Sequence, residues 1–128
     1  GISENIRING IIDRYLEHSR IFIFENAGDM ICLTGSADWM PRNLDNRIEV
    51  LAPVYDKEIQ ADLKRIVCYG YRDTAKGRIV DGTGENRPWE NRPSTLCKDF
   101  TPALAEAETA TVVFRSQEEL YRKYKNTL

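Results

Sequence analysis

The chain lacks features on which several classes of protein depend. Its three cysteines, Cys32, Cys68 and Cys97, are widely spaced and odd in number, so they fit neither a CxxC metal site nor a set of paired disulfides. No apolar run approaches the ~20 residues of a membrane-spanning helix, and the first residues do not form a signal peptide. Reduced thiols are expected, and with them a cytoplasmic protein that is free or peripherally associated with a membrane.

An excess of basic charge is also lacking. The formal net charge is −2 over 128 residues, so no global positive field attracts nucleic acid or an anionic lipid surface. Any anion site must therefore be a local cluster of arginines. Hydrophobic residues make up 41% of the chain and charged residues 30%, as in ordinary globular proteins. We expect no nucleic-acid partner.

The apolar pattern predicts an α/β protein with a mixed sheet flanked by helices, in one domain over residues 1–128. We expect a core with the motif loops over residues 1–87, an irregular or weakly helical stretch over 88–114 and a terminal helix over 115–126. Because Ile6 and Ile8 already alternate as in a strand, we expect the chain to be a truncated fragment of a larger protein.

Alternating apolar residues predict the strands. Ile21–Phe24 and Met30–Leu33 flank a turn-forming stretch that contains Asn26 and Gly28, which predicts a β-hairpin. Further short strands are expected at residues 5–9, 47–55 and 78–80.

Apolar residues at helical spacing predict the helices. A short amphipathic helix is expected over residues 10–19, and a longer one over 57–70 with Asp56 as its N-cap. Ser116 and Glu119 have the spacing of a capping box at the start of the terminal helix.

Histidine is scarce, and the one histidine of the chain, His18, directly precedes an apolar strand in "EHSR". Histidine is the side chain whose unperturbed pKa lies near neutrality, so it can attack phosphorus or transfer a proton near pH 7. Arg20 follows two positions later, and arginine binds phosphate oxygens in pairs. Both residue types suit phosphoryl chemistry.

Two more stretches, "TGSADW" (34–39) and "PRNLDNR" (41–47), place polar residues where a strand ends. Ser36 can donate a hydrogen bond to an anion, and Arg42 can bind one. Asp38 repels phosphate, so we expect it to orient an arginine or His18. Trp39 is expected to lie in the core.

Three stretches of the chain resemble the C-terminal region of bacterial polyphosphate kinase of the first type, in the phospholipase D-like superfamily. They are "IIDRYLEHSRIFIFENAG", "TGSADWMPRNLDNRIEVLAPV" and "DTAKGRIVDGTGENR". His18 matches the histidine of the superfamily pattern, while Arg20 stands where lysine is usual and Asp38 where asparagine is usual. These departures fit the kinase branch better than general phosphodiesterases.

The resemblance implies a phospholipase D-like fold and a reversible transfer of the terminal phosphate of ATP onto inorganic polyphosphate. The transfer would use Mg²⁺, with ligands outside this chain, and a phosphohistidine carried by a neighbouring domain. His18 would assist as acid, base or nucleotide-positioning group. The residues implied to bind substrate or nucleotide are His18, Arg20, Ser36, Asp38 and Arg42, and no metal ligand is implied here. The implied partners are the other domains of the parent chain and further copies of the intact protein.

Two other functions remain open from the residues. One is a phospholipase D-like nuclease or phosphodiesterase that brings two copies of His18 together by homodimerisation. The other is a non-catalytic module that binds polyanions, in which the histidine has no chemical role.

Overall fold

The structure is a computed structural model that describes residues 6–90, 97 and 113–126. The chain forms two compact units, which we call the hairpin unit (Glu17–Lys64) and the terminal unit (Gly1–Leu16 with Arg65–Leu128). In chain order the elements are β1 (Asn9–Ile11), β2 (Ile21–Phe24), a 3₁₀ turn (Asn26–Gly28), β3 (Ile31–Gly35), α1 (Pro41–Asn46), β4 (Leu51–Pro53), α2 (Lys57–Tyr71), β5 (Gly77–Ile79) and α3 (Ser116–Tyr124). The single domain over residues 1–128 stays a prediction.

The hairpin unit contains an antiparallel sheet in the order β2-β3-β4. The predicted hairpin is confirmed, with Ile21 opposite Thr34 and Phe24 opposite Ile31. Its turn carries positive φ angles at Asn26, Ala27 and Gly28, and asparagine and glycine tolerate such angles well. The third strand occupies only three residues of the predicted run 47–55.

The predicted helix over 57–70 is confirmed as α2, and Asp56 is its N-cap. The Asp56 carboxylate accepts hydrogen bonds from the backbone N–H groups of Glu58 and Ile59, at 2.9 and 3.1 Å. These bonds satisfy donors that have no partner within the first turn of a helix.

In the terminal unit, β1 and β5 form an antiparallel pair with Gly10 opposite Arg78. Trp89 is 7% exposed; its indole N–H donates to the Tyr71 carbonyl at 2.6 Å, and its ring meets the Tyr71 ring edge-on. Cys68 is fully buried, and all three cysteines are buried thiols that form no disulfide, as predicted. Small apolar and aromatic side chains therefore form this core.

The predicted helix over residues 10–19 is wrong. Gly10 and Ile11 are taken into β1, and no residue from 12 to 20 is helical. The Tyr15 and Leu16 side chains, which would have faced a core, are 64% and 91% exposed. A short amphipathic helix needs an apolar surface to pack on. The residues that would form its first turn pair instead as part of strand β1.

The predicted capping box is also wrong, although the terminal helix is confirmed as α3. Ser116 is its first helical residue, and the N-cap position belongs to Arg115, which makes no side-chain cap. The Ser116 hydroxyl and N–H instead donate to the fully buried carboxylate of Asp73 at 2.7 and 2.8 Å. Hydrogen bonds to a distant carboxylate thus replace the local cap.

The predicted α/β class is confirmed, with one difference. Every strand pair among residues 6–90 is antiparallel, whereas a mixed sheet was expected. Most of the stretch 88–114, including "TPALAEAETA" with its predicted weak helix, lies outside the described residues. No helix in the described ranges is long and apolar enough to cross a membrane.

Candidate functional site

The register of the hairpin brings the two sequence motifs together. Arg20 directly precedes β2, and Gly35 ends β3. Because the strands are antiparallel with Ile21 opposite Thr34, the start of β2 lies beside the end of β3. The Gly35 N–H and the Thr34 hydroxyl both donate to the Arg20 carbonyl, at 3.2 and 3.1 Å. Side chains that enter β2 therefore meet those that leave β3.

Arg20 and Asp38 form a two-point ion pair at this junction. The Arg20 Nε donates to one carboxylate oxygen at 2.7 Å, and Nη2 donates to the other at 2.8 Å. Their side chains are 18% and 37% exposed. The guanidinium hydrogen bond lowers the pKa of Asp38, and the carboxylate raises the pKa of Arg20. The pair fixes the plane of the guanidinium.

The same guanidinium holds His18. Its Nη1 donates to the His18 ring nitrogen Nδ1 at 2.5 Å and to the His18 carbonyl at 2.7 Å. The other ring nitrogen, Nε2, makes no hydrogen bond to any described residue, and the residue is exposed. We call His18, Arg20 and Asp38 the histidine triad. It presents one imidazole nitrogen to solvent while the other is held.

Ser36 belongs to a neighbouring set of contacts. Its hydroxyl donates to Glu49 and accepts the Val50 N–H at 3.2 Å, and its own N–H donates to the Val50 carbonyl. Arg47 pairs with the same glutamate at 3.3 Å. No described hydrogen bond joins Ser36 to the histidine triad, so the hydroxyl supports the strand connection.

The remaining predicted residues, Arg42 and Trp39, are exposed. Arg42 lies on α1, and its side chain makes no hydrogen bond or ion pair with a described residue. Trp39 is 82% exposed and stacks on Phe22 with 6.5 Å between ring centres. The expectation that Trp39 lies in the core is therefore wrong, because only one face of its ring is covered.

Sequence reasoning missed Asn43 and Glu49. Asn43 is 3% exposed, and after Arg20 its amide is among the groups that lower the pKa of Asp38. Its Oδ1 faces Arg47 at 3.5 Å, while its Nδ2 has no partner of normal geometry. The signal for Glu49 lay in "RIEV", where Arg47 and Glu49 alternate on the approach to β4 and so share a face.

The described residues do not form a complete set of metal ligands. No group of three or more histidine, cysteine or acidic side chains within the described residues could hold a metal ion. Two carboxylates beside the motifs are already engaged, because Asp38 binds Arg20 and Glu49 binds Ser36 and Arg47.

Comparisons with known proteins agree on one family. The sequence profile of polyphosphate kinase C-terminal domain 2 matches residues 1–98. A polyphosphate kinase of Klebsiella pneumoniae is 51% identical over 87 residues, which are 68% of this chain and 13% of that protein. One of Escherichia coli K12 is 48% identical over 114 residues, 84% of this chain and 17% of that protein.

A solved structure gives the same result. The crystal structure of polyphosphate kinase from Porphyromonas gingivalis is similar to this chain with a TM-score of 0.75 and 34% identity, over 97% of this chain and 16% of that one. This likeness supports the expected phospholipase D-like fold. The chain spans between about an eighth and a sixth of the length of these relatives. With a profile match over most of its length, the chain belongs to the polyphosphate kinase family, in the region of its C-terminal domain 2.

Proposed function

We propose that the chain is part of an ATP:polyphosphate phosphotransferase, which reversibly moves the terminal phosphate of ATP onto inorganic polyphosphate. The observation that carries the proposal is the histidine triad in a chain of this family: His18 is held at Nδ1 and open at Nε2. Phosphoryl transfer depends mainly on positioning and on stabilisation of charge. A fixed imidazole at an exposed strand edge supplies positioning.

The phosphorylated histidine belongs to a different part of the longer protein. This chain has one histidine, and a phosphohistidine route that also uses an assisting histidine needs two. His18 takes the assisting role and contacts the phosphoryl group or the nucleotide. Arg42, an exposed cation without a described partner, adds positive charge for the polyanion.

The same proposal covers the cofactor, assembly and location. ATP enters as its Mg²⁺ complex, with metal ligands supplied outside this chain. The intact protein is a cytoplasmic homo-oligomer in which this chain contacts the other domains of its own polypeptide.

The first test is activity with and without His18. The isolated chain should make no polyphosphate from ATP, because it lacks a second histidine. In the full-length enzyme, His18→Ala should lower kcat for polyphosphate synthesis by roughly 10²–10⁴-fold, the usual contribution of one positioned acid–base group. Turnover is measured by following phosphate from ATP into acid-insoluble polymer.

The matched control is Lys125→Gln, which removes an exposed cation next to the end of α3 and should leave turnover unchanged. Near-normal turnover of the His18→Ala enzyme would remove His18 from the mechanism. Phosphodiesterase activity of the isolated chain, accompanied by a symmetric dimer in solution, would instead favour the homodimeric nuclease.

A further inference from the structure

The contacts of His18 bear on which ring nitrogen carries its proton. A neutral imidazole has one N–H donor and one bare nitrogen that accepts, and the partner of one nitrogen selects the tautomer. Arginine has five N–H donors and no acceptor, and it stays protonated in proteins. The Arg20 Nη1 group lies 2.5 Å from His18 Nδ1. Nδ1 must therefore be the bare nitrogen in this contact.

We propose that the Asp38–Arg20 pair locks neutral His18 in the tautomer with its proton on Nε2, so that His18 acts toward phosphate as a hydrogen-bond donor. Arg20 and Asp38 are then positioning residues that act through His18. We call this restraint of the tautomer by Arg20 and Asp38 the lock. The lock is a property of this chain alone, and the inference rests on the proposed function only for the identity of the ligand.

The lock is stiff because each partner is held at more than one point. Arg20 uses four N–H groups, two on the Asp38 carboxylate and two on His18 Nδ1 and the His18 carbonyl. The backbone of Arg20 is held as well, through its carbonyl, by Thr34 and Gly35. These contacts hold the guanidinium beside Nδ1, where it can only donate because arginine has no acceptor.

The tautomer restricts the chemistry of His18. A nitrogen that attacks phosphorus or takes up a proton must be bare, and the exposed nitrogen, Nε2, is the protonated one. His18 can instead donate Nε2–H to an oxygen of a phosphoryl group, where a preorganised donor stabilises developing negative charge. The geometry therefore favours donation over nucleophilic attack or general-base catalysis, and it disfavours a phosphohistidine at this position.

Nitrogen NMR of the 128-residue chain tests the lock directly, because its spectrum contains one imidazole. At a pH where the ring is neutral, two-bond ¹H–¹⁵N correlations should show a pyrrole-like Nε2 and a pyridine-like Nδ1. A pyrrole-like Nδ1, or averaged shifts from exchange between both tautomers, would overturn the proposal.

Variants show whether the tautomer depends on Arg20 and Asp38 or is the one that an unrestrained, exposed histidine adopts. Arg20→Ala and Asp38→Asn should each shift both nitrogens toward the averaged values of an unrestrained imidazole. Arg20→Lys, which keeps the charge but loses the planar fork, should give an intermediate result. Arg42→Ala is the matched arginine control and should leave both shifts unchanged. Amide spectra check folding, and folded Arg20 and Asp38 variants with wild-type nitrogen shifts would overturn the lock.

Ligand binding tests the donor role of His18 separately from the lock. On addition of tripolyphosphate or ATP to the chain, the Nε2–H proton should move downfield and exchange more slowly, while Nδ1 remains pyridine-like. A ligand that converts Nε2 into a bare acceptor would overturn the donor role. If neither ligand affects His18 but the tautomer is as stated, the assignment of the ligand fails and the lock stands.

Discussion

The two tryptophans have the same hydropathy and opposite surroundings. Trp39 is 82% exposed and Trp89 is 7% exposed. Trp39 follows Asp38, whose carboxylate is fixed on Arg20, and so it is carried at the exposed end of the hairpin with one ring face on Phe22. Composition alone cannot distinguish the two, because burial depends on contacts distant in sequence.

Replacement by alanine should therefore affect the two positions unequally. Trp89→Ala should lower the free energy of unfolding by about 3–5 kcal/mol, because it removes a buried ring and its hydrogen bond to Tyr71. Trp39→Ala should lower it by less than about 1 kcal/mol. Urea unfolding of both variants measures the difference, and equal losses would show that Trp39 is covered in solution.

Asp73 is a second residue whose structural role is not indicated by the neighbouring sequence. Its carboxylate is 0% exposed and accepts hydrogen bonds from the N–H groups of Lys76, Gly77 and Ser116 and from the Ser116 hydroxyl. It joins the turn before β5 to the start of α3. All four partners are donors, so only a group that accepts at both oxygens satisfies them.

Asp73→Asn should lower the free energy of unfolding on the order of 3 kcal/mol, because the amide nitrogen faces donors where the carboxylate oxygen accepted. Ser116→Ala should have a smaller effect, about 1 kcal/mol, since the backbone N–H remains bound to Asp73. The exposed Asp29→Asn serves as control and should be neutral. Denaturant unfolding curves decide, and a neutral Asp73→Asn would contradict the hydrogen-bond geometry.

At the scale of elements, Gly35 determines how closely β3 and β4 approach. A Cβ atom at this position would lie 2.0 Å from the Val50 carbonyl oxygen and 3.0 Å from the Leu51 Cα. Backbone atoms cannot yield as a flexible side chain does, so the strands would have to separate.

Gly35→Ala should therefore lower the free energy of unfolding by about 1–3 kcal/mol. Gly70→Ala is the matched control. Gly70 lies within α2, and a Cβ atom there would meet only Ile11, at an ordinary 3.4 Å. That variant should be neutral or more stable by up to about 1 kcal/mol, since alanine is the better helix former. Thermal and urea unfolding compare the two, and equal effects would contradict the close approach of the strands.

The sequence correctly predicted the elements that depend on contacts between residues close together in the chain. The hairpin follows from alternation around a turn, and α2 follows from helical spacing behind Asp56. The failures share another cause: residues 10–19 and Ser116 are governed by partners far along the chain. Arg78 lies opposite Gly10, and Asp73 holds Ser116. Local patterns carry no information about such partners.

Some residues of the candidate site could be predicted from the sequence and others could not. His18, Arg20 and Asp38 could be selected because their residue types suit the chemistry, and the hairpin register explains why they meet. Asn43 and Glu49 were missed because an amide and a carboxylate have many structural uses. Their importance is visible only in the burial of Asn43 and in the contacts of Glu49 with Ser36 and Arg47.

At the scale of the whole chain, one ion pair joins residues 102 positions apart in the terminal unit. Arg115 donates to the two Asp13 carboxylate oxygens at 2.6 and 2.9 Å, and the Asp13 side chain is 1% exposed. The hydrogen bonds from Arg115 lower the pKa of Asp13 to about 2. The pair ties the segment after β1 to the start of α3.

This pair should contribute to the acid sensitivity of the chain. Asp13 has a lower pKa in the folded state than the value of about 3.9 expected in the unfolded chain. Its contribution is therefore fully present above about pH 4 and is lost as the pH falls toward 2. Urea unfolding at several pH values should show Asp13→Asn to be less stable than the wild type at pH 7, with a difference that shrinks between pH 4 and 2. Asp29→Asn should track the wild type throughout, and a wild-type-to-Asp13→Asn difference that stays constant down to pH 2 would show that the ion pair does not form in solution.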